Sequence, residues 1–411
     1  MSENSTPLTE YGWNATLSNT FTDLAPPDSA PGRILRVDRG RCDVAVAEGT
    51  VRALSGSDPL CTGDWVAVAE LRDSREPEMH TVTSILPRSS SIVRSSASGK
   101  SEGQILAANV DTVVIATASD GDVDLGRIER LLALAWESGA TPVVALTKSD
   151  AAHYISDTLA EVTAIAPGAT VLAVSAETNE GMDVLDAVLD GTVAILGPSG
   201  AGKSTLANAL LADTTDADRL ETGRVRTGDG KGRHTTVTRE LISFSGGRTL
   251  IDTPGLRGVG MWNAAEGIEK TFPEIEELIA ECRFSDCAHN SEPGCAVLSA
   301  LGRGDIDERR LASYRKLQRE NAWNAARSDA RLQAERTREI KVISRQLKSH
   351  YRGRGPVANK AWQHGGDPDE RLPCSSSSVP APEPSFSVRY PRWSRPPTGA
   401  TQIARNRSSM R

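Results

Sequence analysis

Two short motifs stand in an unusual order along this chain of 411 residues. The segment Thr147-Lys148-Ser149-Asp150 comes first, and the segment Gly197-Pro198-Ser199-Gly200-Ala201-Gly202-Lys203-Ser204-Thr205 follows it. The second segment matches the phosphate-binding pattern G-x-x-x-x-G-K-[ST] without a mismatch. In ordinary GTPases that loop precedes the Asn/Thr-Lys-x-Asp motif. The reversed order therefore predicts a circularly permuted domain, which is feasible because the termini of such domains lie at the surface.

The surroundings of the second motif support phosphate binding. An apolar run at 192–196 precedes it and a helical pattern at 204–211 follows it, which is the strand, loop and helix that the pattern requires. Backbone N–H groups of such a loop bind phosphate at the start of the helix. We expect Lys203 to reach the β- and γ-phosphates and the Ser204 hydroxyl to ligate Mg²⁺.

The base is predicted from Asp150, which follows an apolar run at 141–146. A carboxylate can accept from both N1–H and N2–H₂ of guanine, whereas adenine would leave it unpaired. The alternative for Asp150 alone is an N-cap in a surface turn. A second apolar run at 171–174 ends in Ser175-Ala176, and the Ala176 N–H can donate to guanine O6. Thr147 replaces the commoner Asn, which predicts one weaker bridging hydrogen bond.

The remaining parts expected of a phosphoryl-transfer site follow the loop. Asp252 and Gly255 belong to a D-T-P-G segment, where Asp252 would hold Mg²⁺ through water and Gly255 would contact the γ-phosphate. Upstream, a segment rich in Gly, Arg, Lys and Thr contains His234, Thr235 and Thr236. Either threonine could reach Mg²⁺ on ordering of this loop. Because Leu256 cannot orient water as a glutamine does, His234 is the candidate to do so, against the alternative of a solvated loop histidine.

A cysteine cluster follows the nucleotide-binding motifs. Cys282, Cys287, His289 and Cys295 form a C-x₄-C-x-H-x₅-C pattern, and they include three of the six cysteines in the chain. Three thiolates and one imidazole satisfy tetrahedral Zn²⁺ and leave no position for water. The pattern therefore predicts one structural zinc ion. A disulfide is the alternative, although nothing else in the sequence indicates an oxidising compartment.

The regions outside these motifs differ in character. Short apolar or alternating runs between residues 32 and 87 predict a small β-barrel such as an OB-fold, with an SH3-like barrel or a protein-binding barrel as the alternative. Strands alternating with helices then predict a parallel sheet covered by helices. Residues 303–354 form a basic helical tract of net charge +8 in a chain of net charge −7, which favours contacts with RNA phosphate over a merely solvated helix.

The combined motifs resemble the ribosome small-subunit-dependent GTPase family, known as RsgA or YjeQ. The resemblance covers about residues 30–350 and rests on T-K-S-D, S-A-E, G-P-S-G-A-G-K-S-T, R-H-T-T and D-T-P-G-L in permuted order, followed by the cysteine cluster. It implies an N-terminal OB-fold, a central GTPase stimulated by the 30S subunit, and a late role in 30S maturation through 16S rRNA. GTP and GDP would be its ligands. The runner-up is a GTP-dependent RNA- or protein-binding module in which hydrolysis is incidental.

The expected organisation has five parts. These are a disordered N-terminus (1–30), an OB-fold barrel (31–90), a permuted GTPase domain (91–265), a zinc-binding and basic helical domain (266–354), and a disordered tail rich in Pro, Ser and Arg (355–411). The sequence shows neither a signal peptide nor an apolar run long enough to span a membrane. We therefore expect a cytoplasmic monomer that binds neither membranes nor DNA.

Overall fold

The structure is a computed structural model that describes residues 7–56, 58–71, 79–95, 103–212, 239–251, 264–326 and 334. The predicted 355–411 tail and most of the predicted basic tract beyond residue 326 lie outside these residues. The described residues all belong to one compact unit, Met1–Gln346. None of the described helices has the length and hydropathy needed to cross a membrane.

The N-terminal part is a closed barrel of five strands, which confirms the predicted barrel. The strands are β1 (Ala30–Val37), β2 (Arg41–Val46), β3 (Gly49–Leu54), β4 (Trp65–Glu70) and β5 (His80–Ile85). They close in the order β1-β2-β3-β5-β4, with β3 and β5 parallel and the other pairs antiparallel. Alternation places side chains such as Ile34, Val44 and Val82 inside, where they form a buried core.

The prediction that residues 1–30 are disordered is wrong for residues 7–24. Pro7–Tyr11 forms a 3₁₀ helix, and Ala15–Leu24 forms helix α1, whose N-cap Asn14 accepts a hydrogen bond from the Leu17 N–H. Trp13 packs edge-on against the buried ring of Trp65, with 5.1 Å between ring centroids. Trp13, Leu17 and Phe21 belong to a cluster around Trp65 and do not form a core of their own. They become ordered because the barrel offers them a surface to cover.

The central part is a six-stranded sheet, preceded by a hairpin of β6 (Ser91–Ser95) and β7 (Gly103–Ala108). The sheet contains β8 (Thr112–Ala118), β9 (Thr141–Thr147), β10 (Thr170–Ala173), β11 (Thr192–Leu196), β12 (Leu241–Phe244) and β13 (Arg248–Ile251), in the order β10-β9-β8-β11-β13-β12. Neighbouring strands are parallel except the edge pair of β12 and β13. The parallel sheet predicted from the sequence is thus confirmed.

Helices cover both faces of this sheet. They are α2 (Leu125–Ser138), α3 (Ile155–Ile165), α4 (Met182–Val188) and α5 (Lys203–Leu210). Apolar residues of α2 and α3 belong to one buried cluster, and those of α4 and α5 belong to another. Strand β11 lies beside β8 and β13, although β8 and β9 precede it in sequence. The permuted motif order therefore still brings the ends of β9, β10 and β11 to one edge of the sheet.

The C-terminal described part is helical. It contains α6 (Ala265–Thr271), α7 (Pro273–Ala280), α8 (Ala296–Arg303) and helix α9, which includes residues 308–326. Phe272, Ile275, Val297 and Leu311 form the centre of its own buried core. Helix α6 packs closely on α2. Gly267 makes this possible, because a Cβ at that position would lie only 1.9 Å from the Ala133 carbonyl oxygen.

A buried ion network joins these helices to the sheet domain. Glu129 on α2 is fully buried and accepts hydrogen bonds from Arg309 and Arg310 of α9. The Arg310 guanidinium also pairs with Glu274 at 2.7 Å and donates to the Thr271 carbonyl at 2.6 Å. Because breaking a buried pair leaves an uncompensated charge, this network fixes α9 against α2.

Candidate nucleotide site and metal cluster

The phosphate-loop residues form the predicted strand, loop and helix. Gly197 follows β11 with φ +153°, and a Cβ there would lie 2.3 Å from the Ala116 carbonyl oxygen. Gly200 and Gly202 have φ of +85° and +74°. A chain with side chains at these positions would be strained or would collide with β8. The loop therefore turns tightly out of the sheet and enters α5 at Lys203.

Lys203 bends back over the loop. Its Nζ atom donates to the Pro198 carbonyl at 2.7 Å. Ser204 follows in the first turn of α5 and is half-buried, whereas Thr205 is exposed. The ammonium group and the start of the helix thus stand at the same edge of the sheet, where both favour an anion.

A cavity of about 210 Å³ unites the motifs that the sequence assigns to the base. Its lining includes residues from the loops after β9 and β10 and from the start of α5, namely Thr147, Lys148, Asp150, Ala151, Ser175, Ala176, Glu177, Gly202, Thr205 and Leu206. Asp150 is exposed in a short 3₁₀ turn, so its carboxylate is open to a ligand. Segments that are distant in sequence therefore converge on one cavity.

Thr147 connects this cavity to the phosphate loop. Its buried hydroxyl lies 2.8 Å from the Ala201 carbonyl oxygen and 3.3 Å from the Thr117 carbonyl oxygen. A hydroxyl has one proton to donate, whereas an asparagine amide has two. The bridge to the phosphate loop is therefore present, but the hydroxyl can donate to only one of the two carbonyls at a time.

Lys148 separates the base cavity from a second cavity of about 250 Å³. The second cavity is lined by Pro198, Ser199, Gly200 and Ala201 of the phosphate loop and by acidic residues that follow β8. Lys148 has a left-handed backbone, with φ of +58°, and its Nζ atom pairs with Asp120 at 2.7 Å. The hydrogen bond from Lys148 holds the pKa of Asp120 below its ordinary value.

Asp120 is a site residue that sequence reasoning missed. The available signal was an acidic segment, Asp120-Gly121-Asp122-Val123-Asp124, immediately after an apolar strand. In open parallel sheets, ligands bind beyond the carboxyl ends of the strands, so such a segment lies at the expected edge. Glu177 belongs to the S-A-E motif recognised in the sequence, and the structure adds that it lines the base cavity.

The loop after β10 is shaped by its own hydrogen bonds. The fully buried Ser175 accepts through its hydroxyl oxygen from the Glu177 N–H at 3.3 Å and the Thr178 N–H at 3.1 Å. Gly181 closes the turn with φ of +70°, where a Cβ would lie 2.4 Å from the Ala173 carbonyl oxygen. These contacts hold Ser175 and Ala176 beside the base cavity.

Five further site residues predicted from the sequence lie outside the described residues. They are His234, Thr235, Thr236, Asp252 and Gly255. The chain on either side of them is described: β12 begins shortly after residue 238, and β13 ends at Ile251. Their roles remain predictions.

The predicted metal ligands form one cluster. The ligand atoms of Cys282, Cys287, His289 and Cys295 all lie within 4.8 Å of one another. The Nδ1 atom of His289 is 3.6 Å from the Cys282 sulfur and 3.5 Å from the Cys295 sulfur, and these two sulfurs are 3.9 Å apart. All three cysteines are free thiols, so the disulfide alternative is not adopted. The cluster could hold a metal ion.

Contacts around the cluster fix its backbone. His289 has a left-handed backbone with φ of +56°, and its carbonyl accepts a hydrogen bond from Arg315 of α9. Cys295 is the N-cap of α8, where its sulfur accepts from the Leu298 N–H at 3.4 Å. The Glu292 carboxylate accepts from neighbouring backbone N–H groups, which lower its pKa to about 2. The cluster is therefore tied both to its own loop and to α9.

Comparison with known proteins agrees with this geometry. The family described as RsgA GTPase matches residues 85–262. The small ribosomal subunit biogenesis GTPase RsgA of Streptomyces avermitilis is 53% identical over 351 residues, covering 83% of this chain and 92% of that protein. Its namesake from Streptomyces coelicolor is 52% identical over 375 residues, covering 88% of this chain and 96% of the relative.

Solved structures share the fold. YjeQ from Thermotoga maritima superposes with a TM-score of 0.52 at 24% identity, covering 70% of this chain and 97% of YjeQ. YloQ, described as a circularly permuted GTPase, gives a TM-score of 0.51 at 20% identity, covering 71% of this chain and 94% of YloQ. The permuted motif order, the converging cavities and the extent of identity lead to one conclusion: the chain belongs to the RsgA family of GTPases.

Proposed function

We propose that this protein hydrolyses GTP in the biogenesis of the small ribosomal subunit and that the subunit stimulates its hydrolysis. The observation that carries the proposal is the convergence of the base cavity and the phosphate loop within one body that also bears the cysteine cluster and α9. The names of the two Streptomyces relatives supply the small-subunit assignment.

In the proposed mechanism, binding and charge stabilisation are divided among the converging loops. Asp150 and the Ala176 N–H read guanine, with Thr147, Lys148, Ser149 and Ser175 shaping the pocket. The loop from Gly197 to Thr205 holds the phosphates and Lys203 stabilises the charge that develops on them, while Ser204 and Asp252 would hold the Mg²⁺ ion that accompanies GTP. Gly255 would contact the γ-phosphate, His234 would orient the water, and Thr235 or Thr236 would complete the Mg²⁺ site.

Zinc is the metal that best fits the cysteine cluster. Tetrahedral coordination with Zn–S near 2.3 Å and Zn–N near 2.0–2.1 Å places sulfurs about 3.8 Å apart and a sulfur about 3.6 Å from the nitrogen. The three separations among Cys282, His289 and Cys295, 3.9, 3.6 and 3.5 Å, are close to these values, and all four ligand atoms, that of Cys287 included, lie within 4.8 Å of one another. Zinc would supply a structural crosslink, and no open position would remain for chemistry.

The proposed partner is the 30S subunit. The barrel (31–90) and the zinc-binding and basic helical domain (266–354) contact its 16S rRNA. The GTPase domain (91–265) carries out the hydrolysis. The positive charge of the basic tract favours rRNA phosphate. We propose a cytoplasmic monomer that binds neither DNA nor membranes. The runner-up, a GTP-dependent binding module with incidental hydrolysis, shares the same pocket.

Turnover with purified small subunits separates these two functions. GTP hydrolysis by the full chain is measured with and without 30S subunits, with 50S subunits as the matched control. We expect 30S subunits to raise kcat by an order of magnitude or more and 50S subunits to leave it unchanged, since an activating partner completes a weak intrinsic site. An unchanged rate with demonstrated 30S binding would favour the binding module.

Base recognition by Asp150 gives a second expected result. D150N should lower GTP affinity by roughly 100-fold or more and improve binding of xanthosine triphosphate. The asparagine amide places a donor against a guanine donor, whereas xanthine offers an acceptor there. Equilibrium titration with both nucleotides checks this, and D157N changes an exposed aspartate on α3 as the control. GTP affinity equal to that of the wild type in D150N would remove Asp150 from the base site.

A further inference from the structure

The antiparallel hairpin of β12 and β13 joins two segments that bear proposed catalytic residues. Its first strand follows residues 213–238, which include His234, Thr235 and Thr236, and its second strand precedes residues 252–263, which include Asp252 and Gly255. The position of this hairpin therefore fixes where both segments are anchored. Any element that holds the hairpin influences the geometry of phosphoryl transfer without touching the nucleotide.

The barrel holds the first end of the hairpin. The buried Thr62, in the loop between β3 and β4, donates its hydroxyl to the Arg239 carbonyl at 3.3 Å. The next residue, Glu240, forms an isolated antiparallel bridge with Arg36 of β1. Two consecutive backbone positions at the start of the hairpin are thus attached to the barrel.

The same barrel loop also reaches the second end. Gly63 has φ of +92°, and a Cβ there would lie 2.3 Å from the Ala108 carbonyl oxygen and 3.1 Å from the Cδ1 atom of Ile251. Ile251 is the last residue of β13. The loop can approach this closely only because residue 63 has no side chain.

Polar contacts hold the loop rigidly in this place. Asp64 is fully buried, receives a hydrogen bond from the Cys61 N–H at 2.8 Å, and pairs with Arg88 through two bonds of 2.6 and 2.8 Å. Asn109 donates to the Gly63 carbonyl at 2.9 Å. A loop fastened on both sides transmits a displacement of the barrel instead of absorbing it.

The turn of the hairpin is held independently by the N-terminal segment. The 3₁₀ helix Pro7–Tyr11 packs against both β12 and β13 and against the turn Ser245–Gly247 between them. A Cβ on Gly247 would lie 3.4 Å from the Thr9 carbonyl oxygen. Since the same helix also contacts β1 and β2, the barrel and the N-terminal segment enclose the hairpin from one side.

We infer that Thr62 and Gly63 are positioning residues for GTP hydrolysis: they dock the barrel on the β12–β13 hairpin and so set kcat, while the base cavity sets nucleotide affinity. A partner that engages the barrel then acts on the catalytic segments through these two contacts. This inference rests on the proposed GTPase function. It assigns the barrel a part in the rate of hydrolysis besides any part in binding RNA.

Two variants test the inference in the full-length protein. G63A introduces a Cβ that must displace the loop from Ala108 and Ile251, and T62V removes the hydrogen bond to Arg239 with little change in volume. We expect kcat to fall about tenfold in G63A, because displacements near 1 Å can cost ~10²-fold in rate. In T62V we expect about a threefold fall. KM for GTP and the affinity for GDP should stay within about twofold in both.

Matched controls come from the same barrel. G40A places a Cβ at φ of +74°, in the turn between β1 and β2, where nothing lies within 4 Å. T83V removes a hydroxyl that donates to the Ala67 carbonyl at 3.1 Å within the barrel. Both should retain the wild-type kcat. Thermal unfolding and circular dichroism of all four variants establish that they are folded.

The outcomes are distinct. A lower kcat in G63A and T62V, with unchanged KM and unaffected controls, supports the inference. The inference is overturned if folded G63A and T62V turn over GTP at the wild-type rate. It is also overturned if G40A and T83V lose as much activity as G63A and T62V. Failure of the proposed function shows differently, because wild-type protein would then lack GTP turnover. If G63A does not fold, T62V against T83V alone decides the question.

Discussion

The K203A variant is expected to show no measurable GTP turnover. Lys203 carries the only charged side chain between residues 197 and 205, and its Nζ atom is held 2.7 Å from the Pro198 carbonyl, at the mouth of the loop. Removing a charge aimed at developing negative charge costs roughly 3–4 kcal/mol in a pre-organised site, or about 10²–10³ in kcat. Backbone N–H groups of the loop would remain, so the loss should fall mainly on turnover.

The measurement is single-turnover hydrolysis of GTP, with and without 30S subunits, together with GDP affinity. K270A is the matched control, because Lys270 is an exposed lysine of α6 that pairs with Glu266 at 2.7 Å. It should retain full activity. A K203A rate within tenfold of the wild type would contradict the assignment of the phosphate loop.

The nucleotide site could be predicted from the sequence because its geometry is mostly local. Gly197, Gly200 and Gly202 have positive φ, which favours glycine. The glycines that define the sequence motif are therefore the same residues that allow the loop to turn. The strand before the loop and the helix after it could also be predicted, because the apolar residues of each element lie on its buried side. The permuted order needed no structure either, because parallel strands bring their carboxyl ends to one edge regardless of chain order.

What could not be predicted depends on contacts between residues far apart in sequence. Trp13 packs against Trp65 of the barrel and against Phe21. The sequence near Trp13 and Phe21 gives no sign of this contact with the barrel. Arg310 was read as one charge of a basic tract, yet it is 6% exposed and is bound to Glu129 and Glu274. In the sequence, an arginine that binds RNA looks the same as an arginine that forms a buried ion pair. Only the fold distinguishes them.

The second large effect is expected from C287S, which removes one of the four ligands of the metal cluster. Metal-binding energy is folding energy in small zinc modules, where it amounts to roughly 10–16 kcal/mol. The wild-type protein should carry about one equivalent of Zn²⁺. C287S should lose most of it, and helices α7 and α8, which border the cluster, should unfold at lower temperature. Metal analysis by mass spectrometry and thermal unfolding measure these two quantities.

Nucleotide binding should survive this change, because the two cavities are lined by the sheet domain and by no residue of the cluster. Stimulation by 30S subunits should be lost, since Arg315 of α9 is fastened to the His289 carbonyl and the basic helix would no longer be presented in a fixed position. C42S makes the same chemical change at a buried thiol of the barrel and should keep its zinc. Metal-free wild-type protein that 30S subunits stimulate fully would show that the cluster has no part in this coupling.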